Sequence, residues 1–113
     1  MDNEERAEQL VQQYGFDFGS IPKQDIIALL RQEIDRPQPG SSEYIRLLCG
    51  YLFCLGDSSD VPLLEKAKYG ISMDVGCMID GAWIDNLKNG SLDEKDEKNK
   101  LIDAFVFYYR NYF

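Results

Sequence analysis

The sequence predicts an all-α fold, one domain of five or six antiparallel helices. Two observations carry that prediction. Apolar residues recur at three- and four-residue spacing in successive segments, and each segment is opened by a capping residue and closed by a glycine or a proline-containing breaker. A third observation bounds the size: a chain of 113 residues forms one domain, and such a length buries roughly 65% of its unfolded surface, enough for one core without staples. Within it, a helical hairpin over residues 1–36 precedes a set of stacked helices over 42–113.

The first helix spans about Asn3 to Tyr14. Glutamates fill its first turns, where the macrodipole favours anions; Ala7, Leu10, Val11 and Tyr14 form its apolar stripe, and Gly15 ends it. FDFGS reads as a short aromatic loop. Pro22 opens a second helix to about Asp35, with Ile26, Ile27, Leu29, Leu30 and Ile34 as its apolar positions. Two prolines and a glycine then break the chain between Arg36 and Ser41. Ser41 or Ser42 caps the third helix, whose run LLCGYLFCLG carries no charge for ten residues. It is therefore predicted as the central helix, enclosed on most of its circumference. Gly56 is assigned the left-handed position that ends it.

Asp57 or Ser59 caps the fourth helix, which has Pro62 in its first turn and stops at Gly70. Its pattern turns Val61, Leu63, Leu64 and Ala67 inward and Glu65, Lys66 and Lys68 outward. Ser72 starts a fifth helix through Leu87, which Gly90 closes. Ser91 with Glu94 makes the capping box of the last. That helix carries Leu101, Ile102, Phe105, Tyr108, Tyr109 and Tyr112 on a broad face, read as core packing.

Composition excludes several function classes. The chain has no histidine, which removes catalytic triads, Cys-His pairs and the usual general base near neutral pH. It shows no glycine-rich phosphate loop, and DEKDEKN lacks the central glycine and terminal glutamate of an EF-hand loop. No cofactor and no metal are expected. Cys49, Cys54 and Cys77 cannot all pair and read as free, small buried hydrophobes. The opening MDNEERAEQL has no basic-then-apolar signal, and no apolar run approaches a membrane span, so a cytoplasmic location is expected. A net charge of −8 repels phosphate backbones and anionic lipids at long range. Nucleic acid and membrane are thus unsuitable partners, whereas a basic protein would be attracted.

The segment LLCGYLFCLGDSSDVPLLEKA is similar to the HEAT-like repeat pattern, in which a helix rich in small residues ends in L-G-D and a short V-P-x-L-x-x-A helix follows. Leu55, Gly56, Asp57, Val61, Pro62, Leu64 and Ala67 carry the match. MDVGCMIDGAWIDNL resembles the first helix of a following unit, although Asp80 and Asp85 depart from its apolar pattern. The resemblance covers about residues 43 to 90, and it implies a small right-handed stack with a surface suited to protein binding.

Acidic clusters differ in how they are neutralised. In DEKDEKNK, Glu94 with Lys98 and Asp96 with Lys100 are i,i+4 pairs in the favourable order, so this run reads as a plain solvated helix start. Between Met73 and Leu87 the only charges are Asp74, Asp80 and Asp85, all negative. Lys88 can pair with Asp85 at i,i+3, and Asp80 can bond to a cap or a neighbouring helix. The other reading is an interface: Trp83, the single tryptophan, reads first as core packing, but it lies beside these acids, a composition also found at binding anchors. Asp57, Asp60, Asp74, Asp80, Trp83 and Asp85 are accordingly the candidate partner-binding residues.

Small, acidic, helical and without catalytic apparatus, the chain resembles the immunity proteins with which bacteria neutralise cognate toxins, including those of contact-dependent growth inhibition. The resemblance implies a non-enzymatic nuclease inhibitor, a monomer that binds one to one and covers the active site of a basic toxin, an RNase or DNase domain, with acids. The alternative is a HEAT-like adaptor or scaffold that joins proteins without inhibiting either.

Overall fold

Helix boundaries follow from caps and close approaches throughout the computed structural model, which describes residues 3–36, 42–71, 73–89 and 94–112. Ser41, Ser72, Gly90 and Ser91, to which capping and closing roles were assigned, lie outside those residues. Helix α1 (Asn3–Tyr14) ends where Gly15 takes φ +63° and donates its N–H to the carbonyl of Val11 at 2.7 Å. A side chain is disfavoured in that left-handed conformation, so glycine belongs there. The aromatic loop holds a 3₁₀ turn, Phe18–Ser20, and Pro22 sits at the N-cap of α2 (Lys23–Asp35).

Helix α3 (Ser42–Leu55) is central, as its uncharged run predicts: from Glu43 to Phe53 every residue but Arg46 is buried. It packs against α1, α2, α4 (Val61–Gly70), α5 (Met73–Met78) and α6 (Gly81–Asn89). Helix α7 (Glu94–Tyr112) reaches it through Phe105, whose ring lies so near Gly50 that an added Cβ would sit 2.1 Å from it. Tyr51 of α3 holds the Gly15 carbonyl at 2.7 Å and meets the rings of Phe16, Phe18 and Phe105. Trp83 stacks on Phe53 at 5.9 Å and meets Phe105 edge-on. Each such pair adds roughly 0.5–1.5 kcal/mol beyond its burial. The core is one contiguous cluster, and the Cα radius of gyration is 13.1 Å, close to the ~13 Å of a compact domain of this length.

The described residues thus form seven α-helices and no strand, an all-α fold with more helices than the five or six expected. The extra one arises because the single helix expected from Ser72 to Leu87 is two. Lys68 of α4, expected to point outward, instead donates to the carbonyls of Gly76 and Ile79, at 2.6 and 2.5 Å. It thereby satisfies orphan acceptors at the end of α5. Asp80 then begins again: its Oδ1 accepts the N–H of Ala82 at 2.9 Å, the N-cap bond of α6.

Gly56 also differs from expectation. Its backbone is not left-handed; glycine is required there because a Cβ would lie 2.4 Å from Asp60 Oδ2 and 2.5 Å from the Leu52 carbonyl. Asp57 and Asp60 form a reciprocal capping box around the 3₁₀ turn Ser58–Asp60, which leads into α4. No helix among the described residues is long and apolar enough to cross a membrane.

Candidate partner-binding surface

The outward electrostatics begin with where the cations are held. Arg6 of α1 makes two bonds to the buried carboxylate of Glu33 on α2, and its guanidinium lies 4.0 Å from the centre of the Tyr44 ring. Lys23 pairs with buried Asp60 at 2.7 Å. Arg46 donates to Tyr109 Oη at 2.8 Å, and that hydroxyl donates to Glu43 Oε1, also at 2.8 Å. The Arg46 guanidinium also lies over the Tyr108 ring, 4.4 Å from its centre. Lys98 of α7 donates to the Gly56 carbonyl at 3.2 Å, and Lys68 holds the end of α5. These five cations are therefore drawn onto buried carboxylates, a tyrosine and backbone carbonyls, while Arg31, Arg36, Lys66, Lys88, Lys100 and Arg110 are exposed. Exposed acids such as Glu8, Asp35, Asp57, Asp80, Asp85 and Glu97 keep the surface negative.

The predicted residues separate under this geometry. Asp60 is buried and structural: it accepts the N–H of Asp57 at 2.9 Å and pairs with Lys23, so it is not a binding residue. Trp83 is 3% exposed within the aromatic core, so it too leaves the contact surface. Its proximity in sequence to Asp80 and Asp85 misled because α6 turns the indole inward and the acids outward. Asp74 lies in the first turn of α5, and its side chain falls outside the described residues.

Asp57, Asp80 and Asp85 are exposed. The turn Ser58–Asp60 packs against α6, which brings the Asp57 segment beside the helix that carries Asp80 and Asp85 at its outer positions. Asp57 has its pKa lowered, chiefly by the Ser59 hydroxyl and then by the Ser59 N–H, which donates at 2.9 Å. Asp80 keeps its second carboxylate oxygen free of the Ala82 bond. Lys88 does not neutralise Asp85 as its spacing suggested: its Nζ lies 3.6 Å from Glu65 of α4. Asp80 and Asp85 are exposed without an ion pair, whereas Asp57 lies in the field of Lys23 and Lys98 and Lys88 is exposed on α6, so the face is acidic but not free of cations.

The chemistry available elsewhere is limited. Burial raises the thiol pKa of Cys49 well above its ordinary range and pushes that of Cys54 up to about 12, so neither is a ready nucleophile. Cys77, expected to be buried, is exposed on α5. Among the described residues no cluster of three or more Cys, Asp or Glu side chains could hold a metal ion. Sequence reasoning missed the groups that set the charge distribution. Glu33 follows Ile26 and Leu30 on the inward stripe of α2, and a carboxylate at that position signals a buried cationic partner. Arg46, between buried Ile45 and Leu47 on the central helix, carries the same kind of signal. Each partner lies far along the chain, 27 residues away for Glu33 and 63 for Arg46, so local spacing does not reveal it.

A second surface lies between the aromatic loop and α7. It is a groove of about 430 Å³ lined by Phe16, Phe18, Ile102, Val106 and Phe107, with Asp103 and Arg110 on its polar rim. Comparison with protein families, curated proteins and solved structures gives no match to this chain.

Proposed function

We propose that this protein is an immunity-type inhibitor: it binds a basic nuclease toxin one chain to one toxin and lays the acidic face of α6 and the Asp57 turn over the toxin's cationic active site. The observation that carries the reading is the placement of charge. Asp57, Asp80 and Asp85 are exposed on neighbouring segments, while Arg6, Lys23, Arg46, Lys68 and Lys98 are engaged in the interior or on backbone carbonyls. Such a face mimics the phosphate charge a nuclease binds, and its net attraction speeds encounter with a basic partner. No catalytic step is assigned to it.

The test is co-expression with the product of the neighbouring gene, scoring rescue of growth and co-purification, followed by titration calorimetry on variants. Asp85→Asn is expected to weaken binding by about 2–5 kcal/mol where the carboxylate meets a desolvated cation. Glu8→Gln, on α1, should scarcely change it. Equal affinity of the Asp57→Asn, Asp80→Asn and Asp85→Asn variants and the parent would move the binding surface away from α6. Absence of any inhibitory complex would remove the toxin reading altogether.

A further inference from the structure

The outward stripe of α7 is self-complementary, and we propose that two copies of this chain pair through it, antiparallel about a two-fold axis. Phe105 and Tyr109 turn into the core, so the opposite side of the helix presents exposed Asp103, Phe107 and Arg110 with half-buried Val106 among them. These positions are i, i+3, i+4 and i+7, one continuous seam. An acid stands at one end, a base at the other, and apolar residues lie between them. When such a helix meets its own copy running the other way, Asp103 of each chain faces Arg110 of the other, and Phe107 faces Val106.

Shape agrees with charge. Phe107 is 71% exposed, an unusual position for a phenylalanine, and its ring forms one wall of the groove lined also by Phe16, Phe18, Ile102 and Val106, where the Arg110 guanidinium lies 5.7 Å from the centre of the Phe16 ring. At about 430 Å³ the groove has room for a phenyl ring. A projecting ring beside an apolar recess on the same face is what an isologous interface needs, because the two-fold axis inserts each ring into the other copy's recess. An acidic partner of another kind would meet Asp103, and a basic one Arg110; a second copy matches both. The chain carries net charge −8, so the complementary ends of the seam are needed to set register against overall repulsion. This pairing is independent of the toxin reading, and its test requires no partner.

Sedimentation velocity on the whole chain from roughly 5 to 500 µM should show a monomer–dimer equilibrium. Phe107→Ser should leave only monomer, while its melting temperature, compared at a concentration where the parent is also monomeric, stays near the parent value because the ring is exposed in the single chain. Asp103→Arg and Arg110→Asp should each raise the dissociation constant by at least about tenfold, since each puts like charges opposite one another twice. The double variant Asp103→Arg/Arg110→Asp should return it towards the parent value, because exchange of the two ends restores both pairs. A parent chain that stays monomeric throughout that range overturns the proposal. So does a dimer indifferent to Phe107→Ser, or a double variant as weak as either single one.

Discussion

Asp80 shows how one side chain can be read two ways until its backbone is known. In sequence it stands inside an apolar stretch, whereas in the structure it is the residue from which α6 starts, accepting the Ala82 N–H. Asparagine is as good an N-cap as aspartate and alanine is not, so Asp80→Asn should keep the thermal stability of the parent while Asp80→Ala loses about 1 kcal/mol by urea denaturation. If both variants lose the same amount, the carboxylate charge is what matters and the cap does not. Asp57 gives a pH signature. Its folded-state pKa lies below that of a free carboxyl, so its contribution is complete above the unfolded value, near 4, and is lost as pH falls through the folded one. The melting-temperature gap between the parent and Asp57→Ala should accordingly be widest near neutrality and close progressively in acid; a gap independent of pH would assign the effect to the turn alone.

At the scale of elements, Gly50 sets how near the Phe105 ring of α7 can come to α3. A methyl on Gly50 would lie 2.1 to 2.8 Å from three atoms of the Phe105 ring, and Tyr51, Trp83 and Tyr109 contact the same ring. Gly50→Ala should therefore destabilise the protein by about 1–3 kcal/mol despite the better helix propensity of alanine. Phe105→Leu in that background should recover part of the loss. A Gly50→Ala variant as stable as the parent in urea would show that α7 can shift outward. Elements whose ends are written in local chemistry were legible: α1 from Asn3 to Gly15, α2 after Pro22, and α3 from its uncharged run. The division of residues 72–87 was not, because it depends on Lys68 reaching 8 and 11 residues ahead to the carbonyls that end α5. No periodicity records that contact.

For the molecule as a whole, the charge balance was legible and its distribution was not. The total of −8 follows from counting, but the confinement of Arg6, Lys23 and Arg46 depends on Glu33, Asp60 and Tyr109, partners brought near by tertiary packing. The same limit applied to the candidate site. Asp57, Asp80 and Asp85 are exposed as their sign and position suggest, whereas Asp60 is buried and, of the two readings of Trp83, the core one holds, because sequence shows neither the Lys23 pair nor the Phe53 stack. If the acidic face receives a basic toxin, its association rate in stopped flow should fall by at least about tenfold between low and physiological salt, since the Debye length shrinks from ~30 to ~8 Å. A rate constant indifferent to salt would show that the two proteins meet through apolar contact.

The contacts of α7 also bear on the order in which the chain acquires its structure. Lys98 with Gly56 and Tyr109 with Glu43 join residues 42 and 66 positions apart. Closing such loops is slow compared with forming a local hairpin. Helices α1 to α3 pack on one another early in the chain, but the Gly50 side of α3 is covered only when α7 arrives. Until then Gly50 and the buried carboxylate of Glu43 lack the Phe105 ring and the Tyr109 hydroxyl that cover them, and a chain without α7 docked stays adhesive on that side.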